Sequence, residues 1–127
     1  MKYLLDTNAL IGLLFNPDIL SKDANKIIQE SEELYISIAS LWELGIKQSI
    51  GRIDIDASAV DIEDACVKLD IGFLPIIPKH IDRMRELPLI HRDPFDRIII
   101  AQALIEEMIL ITKDSIIPQY GEVITVW

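Results

Sequence analysis

Five short apolar runs, separated by stretches of helical periodicity, restrict this chain to very few architectures. They are "KYLL" near the N-terminus, "LYISIA" from Leu34, "IGFLPIIP" from Ile71, "MILIT" from Met108 and "EVITVW" from Glu122. A continuously apolar run reads as a strand covered on both faces, whereas a strand wetted on one face would alternate. The segments between them read as helices. "NALIGLLF" ends at the "NPD" of Asn16 to Asp18, "SKDANKIIQESEE" starts at Ser21, and "SLWELGIKQSIG" stops at Gly51. In "ASAVDIEDACVKLD", Ile62, Cys66 and Leu69 share one helical face while Asp61, Glu63, Asp64 and Lys68 point elsewhere. "KHIDRMREL" and "HRDPFDRIIIAQAL" complete the set, with "PLIHR" as the loop between them. Pro75 limits the third strand, since proline cannot donate to a ladder. Strands alternating with helices predict a parallel sheet of about five strands between helical layers. The expectation is a single three-layer α/β domain over residues 1–127.

Composition supports this and narrows the setting. Half of the 127 residues are hydrophobic, enough for a packed core. The lone cysteine, Cys66, excludes an internal disulfide and fits a buried thiol in a reducing cytoplasm. "MKYLLDTN" is interrupted by Asp6 too early for a signal peptide, and Ile98 to Thr112 is broken by Gln102, Glu106 and Glu107, so no membrane span is expected. The net charge of −9 argues against a general polyanion binder. That objection weakens if Asp6, Glu43, Asp93, Asp96 and Asp114 serve cations, since they account for more than half of the excess.

Those acids fall at telling places. Sites in open α/β sheets form beyond the carboxyl ends of the strands. Asp6 follows the first strand, Asp114 follows "MILIT", Glu43 opens the helix after the second strand, and Asp96 opens the helix that feeds "MILIT". Simple capping competes as an explanation. Ser40 and Glu43 form an S-x-x-E capping box, Asp114 suits a turn, and Asp93 before Pro94 suits an N-cap with Asp96 in the first turn. Asp6 has no evident structural duty. Four acids at one rim would repel unless a cation sat among them. Mg²⁺ or Mn²⁺ suits carboxylate oxygens, and such a centre suits phosphodiester hydrolysis. No Cys/His cluster suggests zinc, and His80 and His91 read as surface or loop histidines rather than ligands.

The segments "LLDTNALI", "SLWELGIKQSIGRI", "HRDPFDRIIIAQAL" and "LITKD" resemble, in order and spacing, the PIN-domain ribonucleases, specifically the VapC-type toxins of toxin–antitoxin pairs. The resemblance spans nearly the whole chain. It implies that Asp6, Glu43, Asp96 and Asp114 are the catalytic, metal-binding acids, that Asp93 is auxiliary, and that Thr7, Asn8 and Thr112 line the site. It further implies metal-dependent cleavage of RNA, a homodimer and a protein antitoxin as partner. Five of the twelve basic residues lie between Lys79 and Arg97: Lys79, Arg83, Arg85, Arg92 and Arg97. They form a candidate phosphate-steering rim, with Lys47 a further RNA-contact candidate and Trp42 assigned to core or dimer interface.

Three rival readings remain. Gly12, Gly45, Gly51, Gly72 and Gly121 build no dinucleotide fingerprint. A phosphoaspartyl or receiver-like domain shares an aspartate after a strand and a Thr112–Lys113 pair, but the haloacid-dehalogenase-like pattern wants an acid where Asn8 stands. A catalytically silent PIN scaffold acting as a binding module is disfavoured by the complete acid set.

Overall fold

The computed structural model describes residues 1–127. A five-stranded parallel sheet is formed by β1 (Lys2–Leu5), β2 (Glu33–Ser37), β3 (Gly72–Leu74), β4 (Ile109–Ile111) and β5 (Thr125–Val126), in the order β3-β2-β1-β4-β5. Six helices flank it: α1 (Thr7–Leu14), α2 (Lys22–Glu30), α3 (Ile38–Ser49), α4 (Ala59–Lys68), α5 (Pro78–Glu86) and α6 (Pro94–Ile105). The predicted three-layer α/β architecture is borne out.

Adjacent strand residues face opposite layers, and the core divides accordingly. Leu4 and Leu110 pack with Ile99, Ile100 and Ala103 of α6, whereas Leu5 and Ile111 pack with Leu10 of α1, Ile28 of α2, and Ile62 and Cys66 of α4. Leu4, Leu5, Leu110 and Ile111 are wholly buried, which is why their runs carry no polar alternation. α3 reaches both layers, giving Ala39 to one and Leu44 to the other. No helix is long and apolar enough to cross a membrane.

From β1 the chain moves outward through β2 to β3, then returns across the sheet to β4 on the other side of β1. Strand order therefore reverses between β1 and β4. Open α/β sheets bind ligands at such a reversal, because the connecting loops part there.

Several boundaries shift from those expected. The second strand stops at Ser37, whose Oγ accepts the Ala39 N–H at 3.0 Å, so α3 starts at Ile38 rather than Ser40. Ser40 then lies inside the helix, Glu43 falls in the second turn, and the Ser40–Glu43 capping box does not form. The chain's capping box is Ser58 with Asp61 at the start of α4. Pro75 trims the third strand to Gly72–Leu74. Gly72 pairs beside Tyr35, whose ring stands 2.7 Å from where a Cβ would be, so a side chain there would displace the aromatic. Leu69 is exposed, contrary to the helical-face reading. Asp70 adopts left-handed φ of 58°, the chain turns, and Ile71 enters the core in its place. Its N–H donates to the Cys66 carbonyl at 2.9 Å, closing the helix end. Cys66 is buried as expected.

Candidate metal centre

Asp6 sits at the end of β1, where its backbone N–H still donates to Ile111 of β4 at 3.1 Å. Its carboxylate has a structural task after all: Oδ1 accepts the Ala9 N–H at 2.8 Å and caps α1. One oxygen caps while the second remains for other partners. Thr7 Oγ1 donates to Glu43 Oε1 at 2.6 Å and shares a 2.9 Å contact with Ser40 Oγ, tying α1 to α3. Glu43 Oε2 accepts from Lys47 Nζ at 2.7 Å, one helical turn on. Asn8 is exposed in the first turn of α1.

On the other side, Asp93 caps α6, with Oδ1 accepting from Phe95 N at 2.8 Å and Asp96 N at 3.2 Å. The expected cap is borne out. Asp96 itself makes no capping bond. Its Oδ2 lies 3.0 Å from His91 Nε2, and the same nitrogen lies 2.9 Å from Asp114 Oδ2. Asp114 follows β4 in a turn, its Oδ1 accepting Ile116 N at 2.7 Å and its own N–H donating to Thr112 Oγ1 at 3.1 Å.

Burial of charge shows that these acids crowd together. Desolvation, reinforced by Asp114 and Glu43, pushes Asp6 up to about 6 against the opposing bonds from Thr112 and Ala9. Desolvation, Asp93, Glu43 and Asp6 together push Asp96 up to about 7, with His91 opposing. Asp114 is desolvated too, yet the His91 bond and backbone N–H groups hold it below the usual carboxylate range. Asp6 thus lies within electrostatic reach of Glu43, Asp96 and Asp114, and Asp96 within reach of Glu43, with no cation of the chain paired to Asp6. A carboxylate set whose repulsion is only partly relieved, by Lys47 at Glu43 and by His91 at Asp96 and Asp114, is the donor chemistry that suits a hard divalent ion. One nitrogen stands beside it: His91 Nε2 and carboxylate oxygens of Asp96 and Asp114 all lie within 4.8 Å of one another.

His91 was expected to be a bystander, and the structure places it at the rim. His80 is likewise no surface residue: it is buried, its Nδ1 accepting Ile77 N at 3.1 Å and its Nε2 3.1 Å from Glu106. The basic rim also needs correction. Arg97 is 7% exposed and donates to the carbonyls of Pro88 (2.9 Å), Met84 (3.0 Å) and Leu87 (3.3 Å), so it offers no guanidinium to RNA. Arg83 pairs with Glu122 and Glu86, and Lys47 is held by Glu43. Arg85, Arg92 and Lys79 remain exposed. Trp42 is 63% exposed, outside the core, with Phe95 edge-on at 5.3 Å.

Comparison with known proteins then gives a family. The sequence matches the PIN domain family over residues 3–123. The chain belongs to the PIN domain family. No curated protein matches its sequence. Solved structures similar in fold include VapBC2 from Rickettsia felis bound to a promoter DNA fragment, with TM-score 0.72 and 17% identity, covering 99% of this chain and 98% of that one. DNA-bound VapBC from Salmonella typhimurium aligns with TM-score 0.71 and 14% identity, covering 99% and 97%. VapBC-1 from nontypeable Haemophilus influenzae aligns with TM-score 0.69 and 20% identity, again covering 99% and 97%.

A pH dependence follows for this PIN domain. Asp6 and Asp96 bind protons more tightly folded than unfolded, so the stability they contribute is complete below the ordinary value of 3.8 and is lost as pH rises through about 6 and about 7. The lowered Asp114 acts oppositely, but only in more acid solution. With chelator present, the thermal midpoint should fall between about pH 5 and about pH 8, and saturating Mg²⁺ or Mn²⁺ should remove most of that fall. A midpoint that stays level across the window in chelator would contradict the crowding described above.

Proposed function

We propose that residues 1–127 form a single PIN domain acting as a VapC-type toxin: a divalent-metal-dependent endoribonuclease restrained by a protein antitoxin. The observation that carries the reading is the convergence of Asp6, Glu43, Asp96 and Asp114 at the β1/β4 reversal, with Asp6 and Asp96 driven up to about 6 and about 7. Mg²⁺ or Mn²⁺ fits this donor set, with Asp6 and Asp96 as the direct holders and Glu43 and Asp114 acting through water or on the nucleophile. When bound, such an ion supplies Lewis acidity toward the phosphate and a more acidic water. The chain's own groups supply the rest. Thr7 and Lys47 fix the Glu43 carboxylate, Thr112 supports Asp6 and Asp114, and Asp93 holds the first turn of α6 so that Asp96 faces His91. The exposed Arg85, Arg92 and Lys79 are left to steer phosphate. Attack by water, with departure of the ribose 3′-oxygen, leaves a 5′-phosphate and a 3′-hydroxyl.

The fold likeness to VapBC proteins supports an antitoxin partner in the cytoplasm. A basic side chain of such a partner would pair with the acidic rim, and the net charge of −9 favours its approach. A homodimer is supported by Ile38, Trp42, Ile46 and Ile50, exposed apolar residues at four-residue spacing along α3 and its C-cap. The receiver-like alternative loses ground because the sequence matches the PIN domain family over residues 3–123.

The purified chain, incubated with RNA, should cleave with Mg²⁺ or Mn²⁺ and be silent in excess EDTA, and its products should accept a 3′-adapter without prior phosphatase treatment. Addition of the neighbouring gene product should suppress cleavage stoichiometrically. Full activity in EDTA would sink the mechanism. Cleavage that no neighbouring product restrains would leave a free-standing nuclease.

A further inference from the structure

His91 stands apart from the other residues of the rim because its ring lies between two of the acids. Its ring reaches two carboxylates from different elements, Asp96 on α6 and Asp114 after β4, through one nitrogen at 3.0 and 2.9 Å. The other nitrogen decides what that contact is. Nδ1 lies 3.2 Å from the backbone N–H of Asp93 and accepts from it. A ring that accepts at Nδ1 carries its proton on Nε2, so Nε2 faces the carboxylates as a donor and has no lone pair to offer. The loop presenting it is anchored independently of the ring: the His91 backbone N–H donates to Tyr120 Oη at 2.8 Å, and Arg97 donates to the same oxygen at 3.2 Å.

We propose that His91 is a built-in occupant of the cation site, an N–H donor that holds Asp96 and Asp114 together until a divalent ion takes both over. The inference rests on the metal-centre reading above. Loading is then an exchange. The carboxylates release His91 Nε2–H, the ring turns away or stays as a donor to one oxygen, and the ion replaces it on the other. His91 is a positioning residue here, and it is not a ligand. A structure without this donor would leave the two acids to repel and would bind metal more readily.

The test is a metal titration of the whole chain by calorimetry with Mn²⁺ and Mg²⁺ at one fixed pH. His91→Ala should bind about tenfold tighter than the natural chain, since a hydrogen bond to a charged group need no longer be surrendered. His91→Gln keeps an N–H at nearly the position of Nε2 and should return affinity toward the natural value. Pulsed EPR of the Mn²⁺-loaded natural chain should show no directly bonded nitrogen. Unchanged or weaker binding by His91→Ala, or a bonded imidazole nitrogen, overturns the inference and makes His91 a bystander or a ligand respectively. Failure of the natural chain to bind either ion would instead remove the metal centre itself, so the two readings fail separately.

Discussion

Asp6→Asn should reduce RNA cleavage by at least about a hundredfold while making the metal-free protein more stable. Loss of a mere supporting contact to a metal ligand costs about 10- to 100-fold, and a direct holder should cost more. The stability gain comes from the same residue. Asparagine retains the oxygen that accepts the Ala9 N–H, and it caps helices as well as aspartate does. It loses the charge that burial, Asp114 and Glu43 penalise. A shift from 3.8 to about 6 corresponds to about 3 kcal/mol at pH 8, of which relaxation should leave about 2 kcal/mol. Chemical denaturation in chelator would read the gain, and fluorescent RNA the loss. A variant that is both inactive and destabilised would show that the fold compensates the Asp6 charge rather than penalising it.

The second large effect lies away from the acids. Arg97→Ala should destabilise the fold by about 3 kcal/mol or more, lowering the midpoint by roughly 10 °C for a chain of this size. The guanidinium sits at the C-terminal end of α5 and donates to the carbonyls of Met84, Leu87 and Pro88, of which Met84 and Pro88 also accept the backbone N–H groups of Leu87 and Ile90. It also donates to Tyr120 Oη, which in turn accepts from the His91 N–H. Removing it leaves the Leu87 carbonyl without its donor, takes the second donor from Met84 and Pro88, empties the buried space the side chain fills and loosens the loop that carries His91. Tyr120→Phe should cost less, about 1–2 kcal/mol, since one hydroxyl is lost and the carbonyls stay paired. A loss below about 1 kcal/mol for Arg97→Ala would mean that water replaces the guanidinium at little cost.

Much of this molecule can be read along the chain. Runs such as "KYLL" and "MILIT" announce buried strands because both faces of β1 and β4 are covered, and their order with the helices implies a parallel sheet. The Asp93–Pro94 start of α6 is legible because capping acts within three residues. The gathering of Asp6, Glu43, Asp96 and Asp114 is legible for a similar reason: each lies just past a strand or early in a helix of the sheet's carboxyl edge. Where local signals compete, reading fails. "SIAS" offers two serines as caps for α3, and Ser37 prevails because the β1–β2 ladder ends beside it, at Leu5 and Ile36. Leu69 looks like a core residue until the left-handed Asp70 turns the chain and hands its place to Ile71.

The charged and polar side chains divide along the same line. Periodicity, caps and turn chemistry are written within a few consecutive residues, so the elements, their order and the acidic edge follow from the amino-acid string. Which charge meets which partner does not. His91 finds Asp114, His80 finds Glu106, and Arg97 finds Tyr120, each across more than twenty residues of chain. An arginine beside an acid in sequence is as compatible with an RNA rim as with a buried clamp. Only the packing of α5 against α6 withdraws Arg97 from water, because a desolvated cation must take whatever acceptors the fold brings to it.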